Sequence, residues 1–507
     1  MKKLAYTIVL SLVTLVYSGC TKLDEEPKGL MAPEGFFKTP DDVQAVIMGA
    51  YAEWNTTQIE KSFWLTLQLR SDMVDIGDVG TAAERIAINN FSMDANNSLI
   101  SESWVRFYQS ISGANTAIKA ARSITADAKV KNELEARARF IRAFTYFHLV
   151  RCFGDVPYLD TPVESAEQLD AINRTAESEV YKKIVEDLIF AKNNLPAKNT
   201  ADVRNIGTQG SAATLLADVY LTLKQFTNAA TEARFVINNA ASFNYQLEKN
   251  YQDLFNANIE TTGILKEPVF TIDKKATLFS GGYDPVEGMV NLTRVKGLAA
   301  RSLSVNVPSL KVYNSWDSRD YRRKVAFEDT IDIKGVKTAI LKAPATISIK
   351  RPHIAKYFRY TGPGPLVSGD DRSSDHHYCM YRYAEVLLIA AEAIAETEGA
   401  SNEAIGYVNL IRTRARWNGT SLNAFPINVN AGISKEDFIK AVREERRLEF
   451  AFEFNRWYDI KRWGILEEAF TSVDSYEPHA VVKSRDYLFP IPQTEISITD
   501  FNQNPGY

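Results

Sequence analysis

Cysteine is scarce in this chain of 507 residues, which has three, at positions 20, 152 and 379. Cys20 stands in the N-terminal segment, so only Cys152 and Cys379 are available to a folded body. Two thiols are too few for a cysteine-rich zinc site. A body of this length can also bury a large core without a disulfide, so we expect both thiols to be free and buried.

Excess positive charge and long apolar runs are missing too. The net charge is -4 and the pI is near 5.9. Without a cluster of Lys and Arg, the chain has no basic field to attract nucleic acid, which we exclude as a partner. No segment after the N-terminus has the ~20 apolar residues that a membrane-spanning helix needs.

The N-terminus has the pattern of an export signal. Two lysines precede an apolar run from Leu4 to Tyr17, and small residues lead from that run to Cys20. The junction resembles a lipoprotein signal-peptidase site, although Tyr17 replaces the usual Leu. We therefore predict a signal peptide over residues 1–19 and fatty-acyl chains, palmitate among them, on Cys20. The alternative is an ordinary secretory signal with an incidental cysteine.

A polar tether is predicted over residues 20–40, and a single mostly α body over residues 41–507. Apolar residues recur at helical spacing in 41–60, 100–240 and 378–470. Short loops within these segments predict helix pairs at 208–239, 383–416 and 434–470. In the first pair, Ala217, Tyr220 and Ala229 have the spacing of a tetratricopeptide hairpin, so we predict a tetratricopeptide-like scaffold of helix hairpins.

Residues 241–377 differ from this pattern and form a loop-rich insertion. Glycine and proline, as in Gly362–Pro365, separate short β-like runs such as Val269–Ile272 and Thr338–Leu341. Long loops on a rigid scaffold usually carry binding residues. We expect the ligand surface in this partly β half and in residues 63–97.

Several blocks are more specific than a helical pattern. They are RAFTYF at 142–147, FGDVP at 153–157, RYAEVLL at 382–388, NLIRTRA at 409–415, EERRLEF at 444–450, RWYDIKRWG at 456–464, FPIP at 489–492 and QNPGY at 503–507. In this order they resemble the signature blocks of the SusD/RagB family, and the resemblance spans nearly the whole chain.

That resemblance implies a lipoprotein exposed on the outer membrane of the cell. Such a protein binds a nutrient, usually an oligosaccharide and in some relatives a peptide, and delivers it to a SusC-like, TonB-dependent transporter. The acidic residues Asp24–Glu26 are similar to the family's surface-export signal. The resemblance implies neither an enzyme nor a cofactor.

The charged and aromatic residues of these blocks are expected to be structural. Arginines 412, 414, 446 and 447 lie among glutamates 385, 444, 445 and 449, and charges on packed helices are tolerated when paired. Trp457 and Trp463 suit packing between helices better than contact with a sugar.

A sugar site pairs exposed aromatic rings with planar polar side chains. The candidates are aromatic residues outside the helical stripes, each of which could instead belong to the core. We predict ligand contacts from Trp64, Arg70, Tyr283, Asn314, Trp316 and Tyr360.

Two other kinds of site stay open as alternatives. Asp72, Asp75 and Asp78 could supply a carboxylate pair for glycoside hydrolysis, or hold calcium, although they do not follow a calcium-loop pattern. Adjacent His376 and His377 could bind a metal, but neighbouring histidines do not easily share one ion. No Gly-x-Ser-x-Gly or His-Glu-x-x-His motif is present. We expect a binding protein with no catalytic residue, metal or cofactor.

Overall fold

A computed structural model describes residues 37–165, 167–168, 171–256, 265–274, 288–298, 302–357, 376–481 and 483–507. From Thr39 to Tyr507 the chain forms one compact unit. The predicted signal peptide, the acylated Cys20 and nearly all of the predicted tether lie outside the described residues and stay predictions.

Helices make up most of this unit. They are α1 Pro40–Ala52, α2 Thr57–Ile59, α3 Leu65–Leu69, α4 Ala83–Asn89, α5 Ser98–Ser123, α6 Ala128–Phe153, α7 Glu177–Asn194, α8 Gln209–Thr222, α9 Phe226–Asn238, α10 Ala240–Phe243, α11 Gly288–Thr293, α12 Leu310–Ser315, α13 Tyr321–Ala326, α14 Tyr383–Glu398, α15 Asn402–Ala415, α16 Lys435–Glu449, α17 Arg456–Trp463, α18 Leu466–Thr471, α19 Lys483–Asp486 and α20 Gln493–Ile498. A π-helical segment, Glu60–Trp64, joins α2 to α3.

The long helices pack against one another in a row. α1, α5, α6, α7, α8, α9 and α14 each contact the next in this order, and α15 and α16 both contact α14. Small residues permit the close approach: a Cβ added to Gly113 of α5 would lie 3.2 Å from the Cβ of Ala50 in α1. The predicted tetratricopeptide-like scaffold is confirmed.

Glycines end two of these helices. Gly154 follows α6 and Gly464 follows α17, each with a positive φ that residues other than glycine rarely adopt. The third predicted helix pair is therefore interrupted. Its second helix ends at Trp463, and the chain continues as the separate helix α18.

Short strands pair in twos among the described residues. They are β1 Val74–Ile76, β2 Pro268–Ile272, β3 Asn306–Pro308, β4 Phe327–Glu328, β5 Thr330–Ile333, β6 Val336–Ala339, β7 His353–Ile354 and β8 Tyr378–Arg382. The antiparallel pairs are β1–β3, β2–β8, β4–β7 and β5–β6. Because β8 leads directly into α14, the β2–β8 pair joins the loop-rich half to the helical scaffold.

A buried ionic network lies at this junction and centres on Glu449 of α16. Arg322, Arg382 and Arg414 all contact its carboxylate, and none of these four side chains is more than 3% exposed. Burial opposes the ionisation of Glu449, but the three arginines outweigh that effect and hold its pKa below the usual range. Each arginine also pairs with a further carboxylate: Arg322 with Asp320 and Glu445, Arg382 with Glu267 and Glu453, and Arg414 with Glu267.

The ion pairs expected from the signature blocks are confirmed. Arg412 contacts Glu445, Arg414 contacts Glu449, Arg446 contacts Glu385 and Arg447 contacts Glu444. The two tryptophans are structural as well. Trp457 is fully buried, and the indole N–H of Trp463 donates to Glu392 of α14.

Replacing Glu449 with glutamine should lower the free energy of unfolding by about 3–5 kcal/mol, because buried arginines would lose their compensating charge. Chemical denaturation measures this change. Glu444→Gln is the matched control: this residue lies on the same helix, but its side chain is 46% exposed, and we expect a loss of at most about 1 kcal/mol. Equal losses in the two variants would contradict a special role for the buried network.

Candidate functional site

The predicted contact residues Trp64 and Arg70 lie in the core. The Trp64 ring is 1% exposed and packs against Trp54 and Phe454 at centroid distances of 5.5 and 4.9 Å. The guanidinium of Arg70 is buried 3.8 Å from the ring centre of Phe91. As exposed ligand contacts, both predictions are wrong. The apolar stretch 63–69 belongs to a π-helix and α3, which are buried on every side.

Trp316 is also misplaced by the prediction. Its ring is 4% exposed and meets Phe327 edge-on at 5.3 Å, because the chain turns back after α12 and directs the ring inward. Asn314 is exposed on α12, so its ligand contact stays a prediction. Tyr283 and Tyr360 lie outside the described residues.

A different set of polar side chains meets beside the β1–β3 pair. We call it the ribbon surface, and it consists of Asp75, Asp78, Asn89, Lys296, Lys311, Arg351, Glu477 and His479. These residues come from segments far apart in the chain. Strand β1 brings Asp75 to the centre, and the turn after it places Asp78 against Lys296.

The Asp75 carboxylate organises the ribbon surface. It accepts hydrogen bonds from the guanidinium of Arg351 at 2.9 Å and from the amide of Asn89 at 3.3 Å. The side chains of Asp75 and Arg351 are 23% and 18% exposed, so the pair faces solvent in part. Nε of Arg351 and Oδ1 of Asn89 are buried without a hydrogen-bond partner in the described part of the chain. Such atoms usually have a water or ligand nearby.

Glu477 is the titrating group of this surface. Burial and, second to it, the negative charge of Asp75 raise the pKa of Glu477 to about 7. A hydrogen bond with Ser309 and the positive charges of Arg351 and Lys311 act in the opposite direction. Near neutral pH the Glu477 carboxyl can therefore donate a hydrogen bond as well as accept one.

The three aspartates proposed for hydrolysis or calcium binding are held by cations. Asp72 makes two 2.7 Å bonds to Arg456, while Asp75 pairs with Arg351 and Asp78 with Lys296. The hydrogen bond from Lys296 lowers the pKa of Asp78. Within the described ranges, no group of three or more His, Cys, Asp or Glu side chains is arranged to hold a metal ion.

Apart from the ribbon surface, a concavity of about 290 Å³ lies at the junction of the two halves beside β2 and β8. His376 and His377 line it but contact different groups. His376 is buried between aromatic rings, and burial lowers its pKa to about 3, whereas Nδ1 of His377 lies 2.7 Å from the Asp273 carboxylate. The neighbouring histidines thus do not act as a pair.

Sequence reasoning did not identify Asn89, Lys296, Arg351 or Glu477. None of them belongs to a short motif, and Arg351 is 276 positions from the Asp75 that it contacts. A local pattern cannot report such a contact. The only signal in the sequence was the expectation that residues 63–97 and the loop-rich half share the ligand surface.

Comparison with known proteins identifies the family. Residues 348–507 match a model described as the SusD family, and residues 23–221 match one described as starch-binding associating with outer membrane. SusD-like protein P2 of Formosa agariphila is 44% identical over 523 residues, covering 100% of both chains. The chain belongs to the SusD/RagB family.

Solved structures agree with the fold of this SusD-family protein. A SusD homologue from Bacteroides thetaiotaomicron superposes with a TM-score of 0.81 at 23% identity, over 94% of this chain and 98% of that one. A laminarin-binding SusD-like protein gives 0.76 at 23% identity, over 93% and 100%. Among the described residues, no helix combines the length and apolar character needed to cross a bilayer.

Glu477→Gln should change how stability depends on pH. The folded protein holds the Glu477 proton up to a pH of about 7 and the unfolded chain only to about 4.5, so stability falls as the pH rises between these values. Glutamine removes this loss. At pH 8 the variant should be more stable by about 1 kcal/mol, a figure reduced for solvent screening, and at pH 4 it should match the unchanged protein.

Chemical denaturation at the two pH values gives this difference. Glu468→Gln, at an exposed position on α18, is the control. Its difference in stability from the unchanged protein should be the same at both pH values. A Glu477 variant that is no more stable than the unchanged protein at pH 8 would contradict the raised pKa.

Proposed function

We propose that this protein is a surface-exposed outer-membrane lipoprotein, acylated at Cys20, that binds an oligosaccharide and delivers it to a SusC-like, TonB-dependent transporter without cleaving it. Family membership and the starch-binding description of the matched N-terminal model support the binding role. The laminarin-binding relative of the same fold adds to that support. A peptide ligand is the alternative within the family.

The ribbon surface is the observation that supports sugar binding most directly. A sugar presents neighbouring hydroxyls that both donate and accept, and planar groups such as carboxylates, amides and guanidinium recognise them in pairs. Asp75, Asn89 and Arg351 supply one group of each type. The two unsatisfied atoms among them, Nε of Arg351 and Oδ1 of Asn89, give a ligand additional bonds to form after a small side-chain movement.

The second candidate function is glycoside hydrolysis. Glu477, with a pKa of about 7 beside the carboxylate of Asp75, has the protonation expected of a general acid. Against this function, Asp75 already accepts bonds from Arg351, from Asn89 and from the backbone N–H of Ile76. A carboxylate occupied in this way is a poor nucleophile or base, so we favour binding.

The protein produced without residues 1–20 should bind a neutral oligosaccharide such as laminarihexaose in calorimetry and leave it intact. Removing residues 1–20 does not touch the compact unit that starts at Thr39. Arg351→Ala should weaken binding about tenfold or more, through the loss of a charged hydrogen-bond donor. Lys296→Ala, at a more exposed position, should weaken it without affecting folding.

Lys183→Ala is the matched control, since that lysine is also half-exposed and paired with a carboxylate, but on α7. It should bind like the unchanged protein. Binding that survives in both ribbon-surface variants would place the ligand elsewhere. Sugar products that disappear in Asp75→Asn and Glu477→Gln would favour the hydrolase instead, and binding of peptides alone would favour the alternative ligand.

The anchor and the partner are tested in cells. Cys20→Ala should release the protein from the outer membrane, because acyl chains contribute ~0.8 kcal/mol per buried methylene and no other anchor is proposed. Protease added to intact cells should degrade the unchanged protein, and mild detergent extraction should co-purify a barrel of transporter size. Membrane retention of the Cys20 variant, or absence of the barrel, would refute the corresponding part of the proposal.

A further inference from the structure

A wide groove lies on the helical scaffold, and it shares no residue with the ribbon surface. We call it the C-terminal groove. Helix α5 forms one side and the segment 495–501 at the end of the chain forms the other, and residues 157–159 and 172–173 complete it. Its volume of about 730 Å³ falls in the range of small-molecule sites, roughly 300–1,000 Å³.

Part of the wall of the C-terminal groove is apolar, and its aromatic side is held in place. Tyr108 is partly buried, and its hydroxyl donates to the carbonyl of Pro157 at 2.8 Å. Trp104 is buried behind it, with ring centres 5.0 Å apart. On the opposite side Ile498 is 78% exposed. Tyr108 and Ile498 thus both offer apolar surface to a ligand in the groove.

The polar groups of the groove carry negative charge or none. Glu495, Asp500 and Asn173 line it together with Ser497 and Thr499, and none of the described lining residues is Lys, Arg or His. Burial raises the pKa of Glu495, while a hydrogen bond from the Trp104 indole opposes the rise. Arg174 follows Asn173 in the chain, but its guanidinium donates to the carbonyls of Asp155 and Asn502. An anionic ligand would meet the two carboxylates with no cation in the described lining, whereas hydroxyl groups could donate to those carboxylates.

We propose that the C-terminal groove is a second saccharide-binding site, specific for uncharged sugar units. Apolar walls for the C–H faces and carboxylate and amide groups for the hydroxyls are the two features that a sugar requires. A basic peptide would match the carboxylates, but it would leave the apolar walls of Tyr108 and Ile498 largely unused. This site goes beyond the function proposed above, which concerns the ribbon surface.

Hydrogen exchange on the protein lacking residues 1–20 tests the proposal. Millimolar laminarihexaose should protect the backbone amides of residues 158–159 and 495–501, whereas oligogalacturonate of similar length should not. Asn173→Ala combined with Ile498→Ser should remove this protection and weaken binding at this site about tenfold, since a lost aliphatic contact and a lost hydrogen bond together contribute ~1–2 kcal/mol. Both side chains are exposed, so folding should not change.

Leu422→Ser combined with Asn423→Ala is the matched control, because it removes an exposed aliphatic side chain and an asparagine elsewhere on the surface. It should keep the protection. The Arg351→Ala variant should also keep protection at the groove, which separates this proposal from the ribbon-surface site. No protection by laminarihexaose, equal protection by oligogalacturonate, or protection by a lysine-rich peptide but not by the sugar would overturn the proposal.

Discussion

The carboxylate of Glu449 is the point at which the two halves of this protein meet. Arg322 reaches it from α13 in the loop-rich half, Arg382 from the end of β8, and Arg414 from α15 in the helical scaffold. Removing these groups from water is costly unless each finds an opposite charge. Since neither half holds the complete set, the network couples the folding of one half to that of the other.

The position of the ribbon surface follows from this junction. The buried ion pairs of Arg322 fix the position of α13. Helix α13 leads into β4, which pairs with β7. Arg351 stands two residues before β7 and from there reaches Asp75, which β1 presents beside β3. The partly exposed pair of Asp75 and Arg351 and the buried network therefore belong to one framework, in which buried charges fix the strands and the strands fix the polar side chains.

Aromatic residues contribute more to this framework than to its surface. Each large ring buries roughly 150–250 Å², so a body with ample core places most of its rings inside. Trp64 and Trp316 do so, whereas Tyr108 keeps part of its ring exposed because its hydroxyl is bound at the rim of a groove. The ribbon surface consists mainly of planar polar side chains. The C-terminal groove combines carboxylate and amide side chains with the partly exposed ring of Tyr108.

Sequence alone predicted the helix pairs, the pairing of the signature arginines and the family, because periodicity and block order are properties of neighbouring residues. Only the tertiary structure decided which rings are buried and which polar groups meet. The residues near Trp64 in the chain do not indicate that Phe454 packs against it. Likewise, the residues near Asp75 do not indicate its hydrogen bond with Arg351. The burial of Trp64 and the pairing of Asp75 depend on segments hundreds of positions away, so they are determined only when the fold brings those segments together.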